Sequence, residues 1–179
     1  MIDPPEGAPE VERAAARIAT WPTTRRDNYF EDFAEGDVIV HPRGRTIGES
    51  EQMALTNLVL NTAQLHFNQA LCDGDPKTYF GGRRVVFGGL VLAFVCGLAS
   101  EETTENALAE LSFDEGRHQA PVFAGDTLFA ESTVLEKRPA DRPDAGIVKF
   151  RLLGKNQRGE IVLTIDREVL VQRRPGAAP

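Results

Sequence analysis

The stretch FGGLVLAFVCGLAS, residues 87–100, constrains this chain more than any other. It is apolar on every side yet shorter than the roughly 20 residues needed to cross a bilayer. It therefore predicts a helix whose whole surface is covered by protein. Behind it come ALAELSF, DTLFAESTVLEKR, GIVKFRLLGKN and EIVLTIDREVLVQRR, separated by the turn-forming runs PVFAGD, RPDAG and NQRGE. Within them the side chains alternate: Val148, Phe150 and Leu152 stand against Lys149 and Arg151, and Val162, Ile165 and Val169 have charged neighbours. One apolar helix followed by four long strands has a simple packing solution, an antiparallel sheet wrapped around the buried central helix. The expected class is α+β.

Upstream the text is less regular. Residues 1–28 read as an acidic, Pro-rich tail and a short helix, VERAAARIATW, ended by Pro22. VIVHPRGRTI, β-rich with Pro and Gly interruptions, predicts an edge-like strand, GESEQ a helix start, and MALTNLVLNTAQLHF a helix that gives way to a loop. CDGDPKTYFGGRR is turn-rich, and residues 175–179 form a C-terminal tail. A length of 179 residues suits one domain, here 29–174, with tails.

Several function classes are excluded at this level. A net charge of −7 argues against nucleic acid as a partner, since phosphate binding needs a clustered basic face. With no apolar run of spanning length and no secretory leader pattern, the expectation is a cytoplasmic protein without a membrane partner. Cys72 and Cys96 form no CxxC or Cys/His ligand spacing, and no nucleotide loop or flavin fingerprint occurs, so neither metal nor organic cofactor is expected. A small sheet leaves edges to cover, which predicts a homodimer or larger homo-oligomer.

The string LNTAQLHFN sets Asn61 and His66 in an Asn-x4-His spacing. YFEDFAEGDVI and HPRGRTI precede it, VVFGGLVLAFVCGL follows, and APVFAGDTLFAESTVLEKRPA comes later. In this order and spacing, over residues 29–174, the chain resembles the MaoC-like dehydratases, whose motif is D-x4-H, and within them the branch acting on mesaconyl-CoA and related dicarboxylic acyl-CoAs. The resemblance implies a single hotdog fold and a hydro-lyase that adds water to, or removes it from, an enoyl-CoA thioester. It also implies an acyl-CoA substrate such as mesaconyl- or itaconyl-CoA.

That reaction needs a base to activate water at the β-carbon, an acid for the α-carbon and donors for the enolate-like oxygen. His66 is the natural base, because an imidazole titrates near neutrality. Asn61 replaces the family's more common Asp; an amide only hydrogen-bonds, so it would orient the water or the His66 ring, or else serve as a helix C-cap. Gly88 matches the family's glycine at the start of the buried helix, where a free N–H suits a thioester oxygen, with Gly89 contributing or with both serving close packing. Arg84, or alternatively Arg83, would fork onto a substrate carboxylate or CoA phosphate. His41 and His118 match no acid/base spacing and read as structural.

Two other functions compete. An acyl-CoA thioesterase of the same fold would need a carboxylate aimed at water, and the candidates, Glu49 and Glu51, read better as helix-start acids. A non-catalytic acyl-CoA-binding subunit would have no need of His66.

Overall fold

The computed structural model describes residues 28–176. The expected helix at VERAAARIATW lies outside the described residues. Element order is β1 (Val38–Val40), β2 (Arg45–Thr46), α1 (Glu49–Leu58), α2 (Gln69–Gly74), α3 (Gly88–Thr103), β3 (Ala107–His118), β4 (Thr127–Pro139), β5 (Ala145–Asn156) and β6 (Ile161–Gln172), with short 3-10 turns at Phe30–Asp32 and Gln64–His66. The strands form one antiparallel sheet in the order β1-β4-β5-β6-β3, with β2 also on β4. This is the α+β architecture expected from the sequence, a sheet packed against the central helix α3.

The alternation read in the strands is what seats α3. Val148, Phe150 and Leu152 on β5 are fully buried, as are Val162 and Val169 on β6. Along this inner face two clusters follow one another. In the first, Leu90, Val91, Val95 and Leu98 of α3 meet Leu128, Leu152, Val162 and Ile165. In the second, Phe30 and Phe33 cover Ile39, Val134, Phe150 and Val171. Gly154 is required where α3 comes closest, because a β-carbon there would lie 2.7 Å from Cγ2 of Val95.

Two expectations are corrected. VIVHPRGRTI is not one strand: His41–Gly44 leaves the sheet between β1 and β2, and both short pieces pair with β4. The cause is a long-range bond network. His41 is buried, with Nδ1 2.7 Å from the Glu102 carboxylate on α3 and Nε2 2.8 Å from Ser132 Oγ on β4. Nor is α3 covered on every side. One sheet covers one face; Gly89, Ala93 and Gly97, four apart on the opposite stripe, are exposed. Among the described residues no helix is long and apolar enough to cross a membrane.

Candidate active site

The segment that carries His66 is fixed by the end of α1. Leu60 adopts a left-handed φ of 54°, its N–H donates to Asn57 O at 3.0 Å, and the N–H of Asn61 donates to Thr56 O at 3.2 Å. This is a Schellman closure with leucine in the place that usually takes glycine. The Asn61 side chain then accepts the N–H of Ala63 at 2.8 Å, turning the chain into the 3-10 segment Gln64–His66. Buried Gln52 of α1 holds the other end, donating from Nε2 to the His66 carbonyl at 2.9 Å. Asn61 is thus part of the turn that presents His66, two residues beyond Val59, which caps α1.

The His66 ring is held by its Nδ1, 2.8 Å from the Val85 carbonyl oxygen, and by the edge of Phe87 with ring centroids 5.6 Å apart. A carbonyl only accepts, so Nδ1 carries the proton. In the neutral ring Nε2 is then a free lone pair, the state that a general base needs.

His66 lines a cavity of about 350 Å3 whose wall also includes Phe80, Gly88, His118, Gln119 and Pro121. Its floor is the junction between α3 and the turn after β3. Val86 N–H donates to Val122 O at 2.7 Å, and Val85 bridges Phe123. Gly88 opens α3, where Leu90 and Val91 already bond back to Phe87 O. The first N–H groups of the helix, those of Gly88 and Gly89, have no partner within it. Gly88 lines the cavity, whereas Gly89 abuts the Phe87 ring, 2.7 Å from where its β-carbon would be.

Arg84 and Arg83, the sequence candidates for a substrate anion, are not among the residues of the cavity wall. Arg84 is half-buried and engaged: NH2 is 2.5 Å from the Glu49 carboxylate, and NH1 reaches Phe67 O at 3.4 Å and Met53 Sδ at 3.5 Å. Arg83 lies over the Phe123 ring at 3.6 Å, and Phe123 meets Phe80 of the cavity wall edge-on. Glu51 is bonded to Arg45 and to the Gly48 N–H. Among the described residues no carboxylate lines the cavity. His118 does, although no spacing ties it to His66; β3 pairing with β6 brings it there. A second hollow of about 240 Å3, beside Pro139, Pro143 and Arg173, has no histidine, and its Arg142 is forked onto Asp144. Among the described residues no group of three side chains has the arrangement to hold a metal ion.

With this geometry in hand, the comparisons with known proteins converge. A family model described as mesaconyl-CoA hydratase matches residues 40–173. The mesaconyl-CoA hydratase of Cereibacter sphaeroides is 35% identical over 158 residues, 87% of this chain and 44% of the relative. A solved structure from Chloroflexus aurantiacus, described as a MaoC domain protein dehydratase, superposes with a TM-score of 0.74 at 33% identity, over 83% of this chain and 45% of that one. A Mycobacterium tuberculosis protein described as having a double hotdog fold superposes with a TM-score of 0.75 at 23% identity, over 86% and 47%. The chain spans about half the length of these relatives. The chain belongs to the mesaconyl-CoA hydratase family of MaoC-like dehydratases.

Proposed function

We propose that this protein is an enoyl-CoA hydratase/dehydratase, a hydro-lyase acting on a short branched dicarboxylic acyl-CoA such as mesaconyl- or itaconyl-CoA. The observation that carries this reading is the Nδ1 bond of His66 to the Val85 carbonyl, which leaves Nε2 free to act as a base on a residue that lines the same cavity as Gly88. The thioester oxygen sits on the Gly88 N–H, supported by Gly89, where the positive end of α3 favours developing charge. His66 Nε2 takes a proton from water as the water oxygen bonds to the β-carbon. The C=C pair moves toward the thioester as an enolate, and the imidazolium returns a proton to the α-carbon. Asn61 acts through the turn it closes, positioning His66. Arg84 meets the distal carboxylate or a CoA phosphate, exchanging Glu49 for the substrate anion.

Absorbance of the conjugated enoyl-thioester band tests the reading with crotonyl-, mesaconyl- and itaconyl-CoA. Loss of the band without release of thiol is expected, fastest with a dicarboxylic substrate. Release of free thiol would make the protein a thioesterase, a reading that the absence of a carboxylate from the cavity wall disfavours. Binding with neither change would leave an acyl-CoA-binding subunit.

The active form is a homodimer or larger. Two features support this: β3 ends the sheet with an unpaired edge bearing exposed Leu108, Leu111 and Phe113, and α3 leaves its Gly89, Ala93, Gly97 stripe open. A monomer by light scattering at micromolar concentration would refute it.

A further inference from the structure

Two histidines face the cavity, and the scheme above uses one of them. His118 ends β3, opposite Leu163 of β6, and its ring leans over the first turn of α3. A β-carbon added to Gly88 would lie 2.7 Å from His118 Nε2, 3.0 Å from Cε1 and 3.1 Å from Cδ2. The nitrogen-bearing edge of the ring is therefore the part that meets the start of α3, at the place where the thioester oxygen is to be held.

The surroundings define what the ring can do there. His66 lines the same cavity, and among the described residues no carboxylate joins the two histidines on its wall. On its own strand, neighbouring Arg117 is a cation whose partner is Glu115, 3.4 Å away. From α3 comes the positive end of the helix dipole at Gly88. An imidazole that carries a proton on Nε2 is a hydrogen-bond donor, and the Nε2 edge is the one that lies against the start of α3.

We propose that His118 is a second catalytic residue of this cavity, donating a hydrogen bond from Nε2 to the thioester oxygen beside the Gly88 N–H. The proposal rests on the hydratase reading. As the water oxygen bonds to the β-carbon, the π pair of the C=C bond moves onto the α-carbon and thioester carbonyl, and the water proton goes to His66. The Gly88 N–H and His118 Nε2–H hold the enolate oxygen, and neither gives up its proton. The enolate then takes the proton back from His66 at the α-carbon, so His118 begins and ends with its own proton. His66 alone moves protons, which suits a site whose motif has an amide at Asn61 in place of a carboxylate.

The test compares wild type, His118→Ala and His118→Gln, the last keeping an N–H donor. Turnover of an enoyl-CoA that the wild type hydrates is measured against pH. The carbonyl stretch of a bound saturated acyl-CoA, carbon-13 labelled at the thioester, is read by difference infrared spectroscopy. We expect kcat of His118→Ala to fall on the order of 10²–10³-fold, the scale for one oxyanion donor, with KM little changed. The wild-type carbonyl band should lie below that of free thioester, return toward it in His118→Ala and recover in part in His118→Gln. The pH profile should keep its shape, because His66 still sets it. An unshifted band, or unchanged kcat in folded His118→Ala, overturns the proposal; loss of a pH limb does too, making His118 a proton donor instead. If the wild type hydrates no enoyl-CoA, the hydratase reading fails separately, and the carbonyl band still tests His118 as a thioester ligand.

Discussion

The ring of His118 stands in the space that a side chain at Gly88 would occupy, with Nε2 2.7 Å from the β-carbon position. Glycine is needed there because of what leans on it, since its backbone is ordinary helix. In Gly88→Ala the ring must swing aside, and it is exposed enough to do so at little cost to folding. Alanine is also the better helix former by up to about 1 kcal/mol. The expected outcome is an unchanged or raised Tm with kcat lowered about 10–10²-fold, because one donor is displaced and the other kept. Parallel loss of stability and activity would mean that Gly88 matters for packing alone.

His66 allows a sharper comparison. His66→Ala removes the base and should lower kcat about 10²–10⁴-fold, with far-ultraviolet circular dichroism unchanged because the ring is only half-buried. Asn61→Ala loses the bond to the Ala63 N–H and loosens the turn that presents His66, so it should cost less than His66→Ala. Asn61→Asp retains an oxygen for that N–H and should keep measurable activity. Near wild-type turnover in a folded His66→Ala protein would move catalysis elsewhere.

The strands were legible because burial repeats every second residue. GIVKFRLLGKN was expected to be a strand, and β5 runs over Ala145–Asn156 with Val148, Phe150 and Leu152 fully buried. The number of covered faces on α3 was not legible: apolar composition reports what a helix can bury, and it is blind to the single sheet that leaves Gly89, Ala93 and Gly97 open. Pro42 and Gly44 marked interruptions in VIVHPRGRTI, but the ties of His41 to Glu102 and Ser132, far away in sequence, were not legible. His118 was read as structural, and its place on the cavity wall was hidden for a similar reason. His66 stands in a recognisable motif, whereas the β3–β6 register that carries His118 to the cavity leaves no local spacing signal.

Arg84 already has a carboxylate, which makes its role testable by exchange. Its NH2 is 2.5 Å from Glu49, so a substrate anion must compete with that side chain. Arg84→Lys keeps the charge and loses the fork, and KM for a dicarboxylic acyl-CoA should rise while kcat changes less. Crotonyl-CoA, which has no distal carboxylate, should be less affected if the acyl carboxylate is the target and equally affected if a CoA phosphate is. Unchanged kinetics with every substrate would remove Arg84 from the site.

A last prediction concerns the ion pair that closes the sheet at its β3 edge. Arg167 of β6 is almost wholly buried beside Phe113, and its Nε bonds Glu110 of β3 at 2.9 Å while NH2 bonds the other carboxylate oxygen. Among the described residues its NH1 has no hydrogen-bond partner. Glu110→Gln leaves that guanidinium buried without a counter-charge. The expected loss is about 2 kcal/mol, below the range of a fully buried pair because Glu110 keeps contact with water. Cys96 reports the same change independently. Burial pushes its thiol pKa above the ordinary value, the Arg167 charge pulls it down, and the Glu110 charge pushes it up. Removing the Glu110 charge leaves Arg167 unopposed, so the thiol pKa should drop and a larger fraction be thiolate at pH 8. Cys96 in Glu110→Gln should therefore react faster with a thiol reagent in the folded protein, while Glu110→Leu paired with Arg167→Met, which removes both charges, should restore most of the stability. If Glu110→Gln is as stable as wild type and Cys96 reacts no faster, the pair is an exposed contact of no consequence.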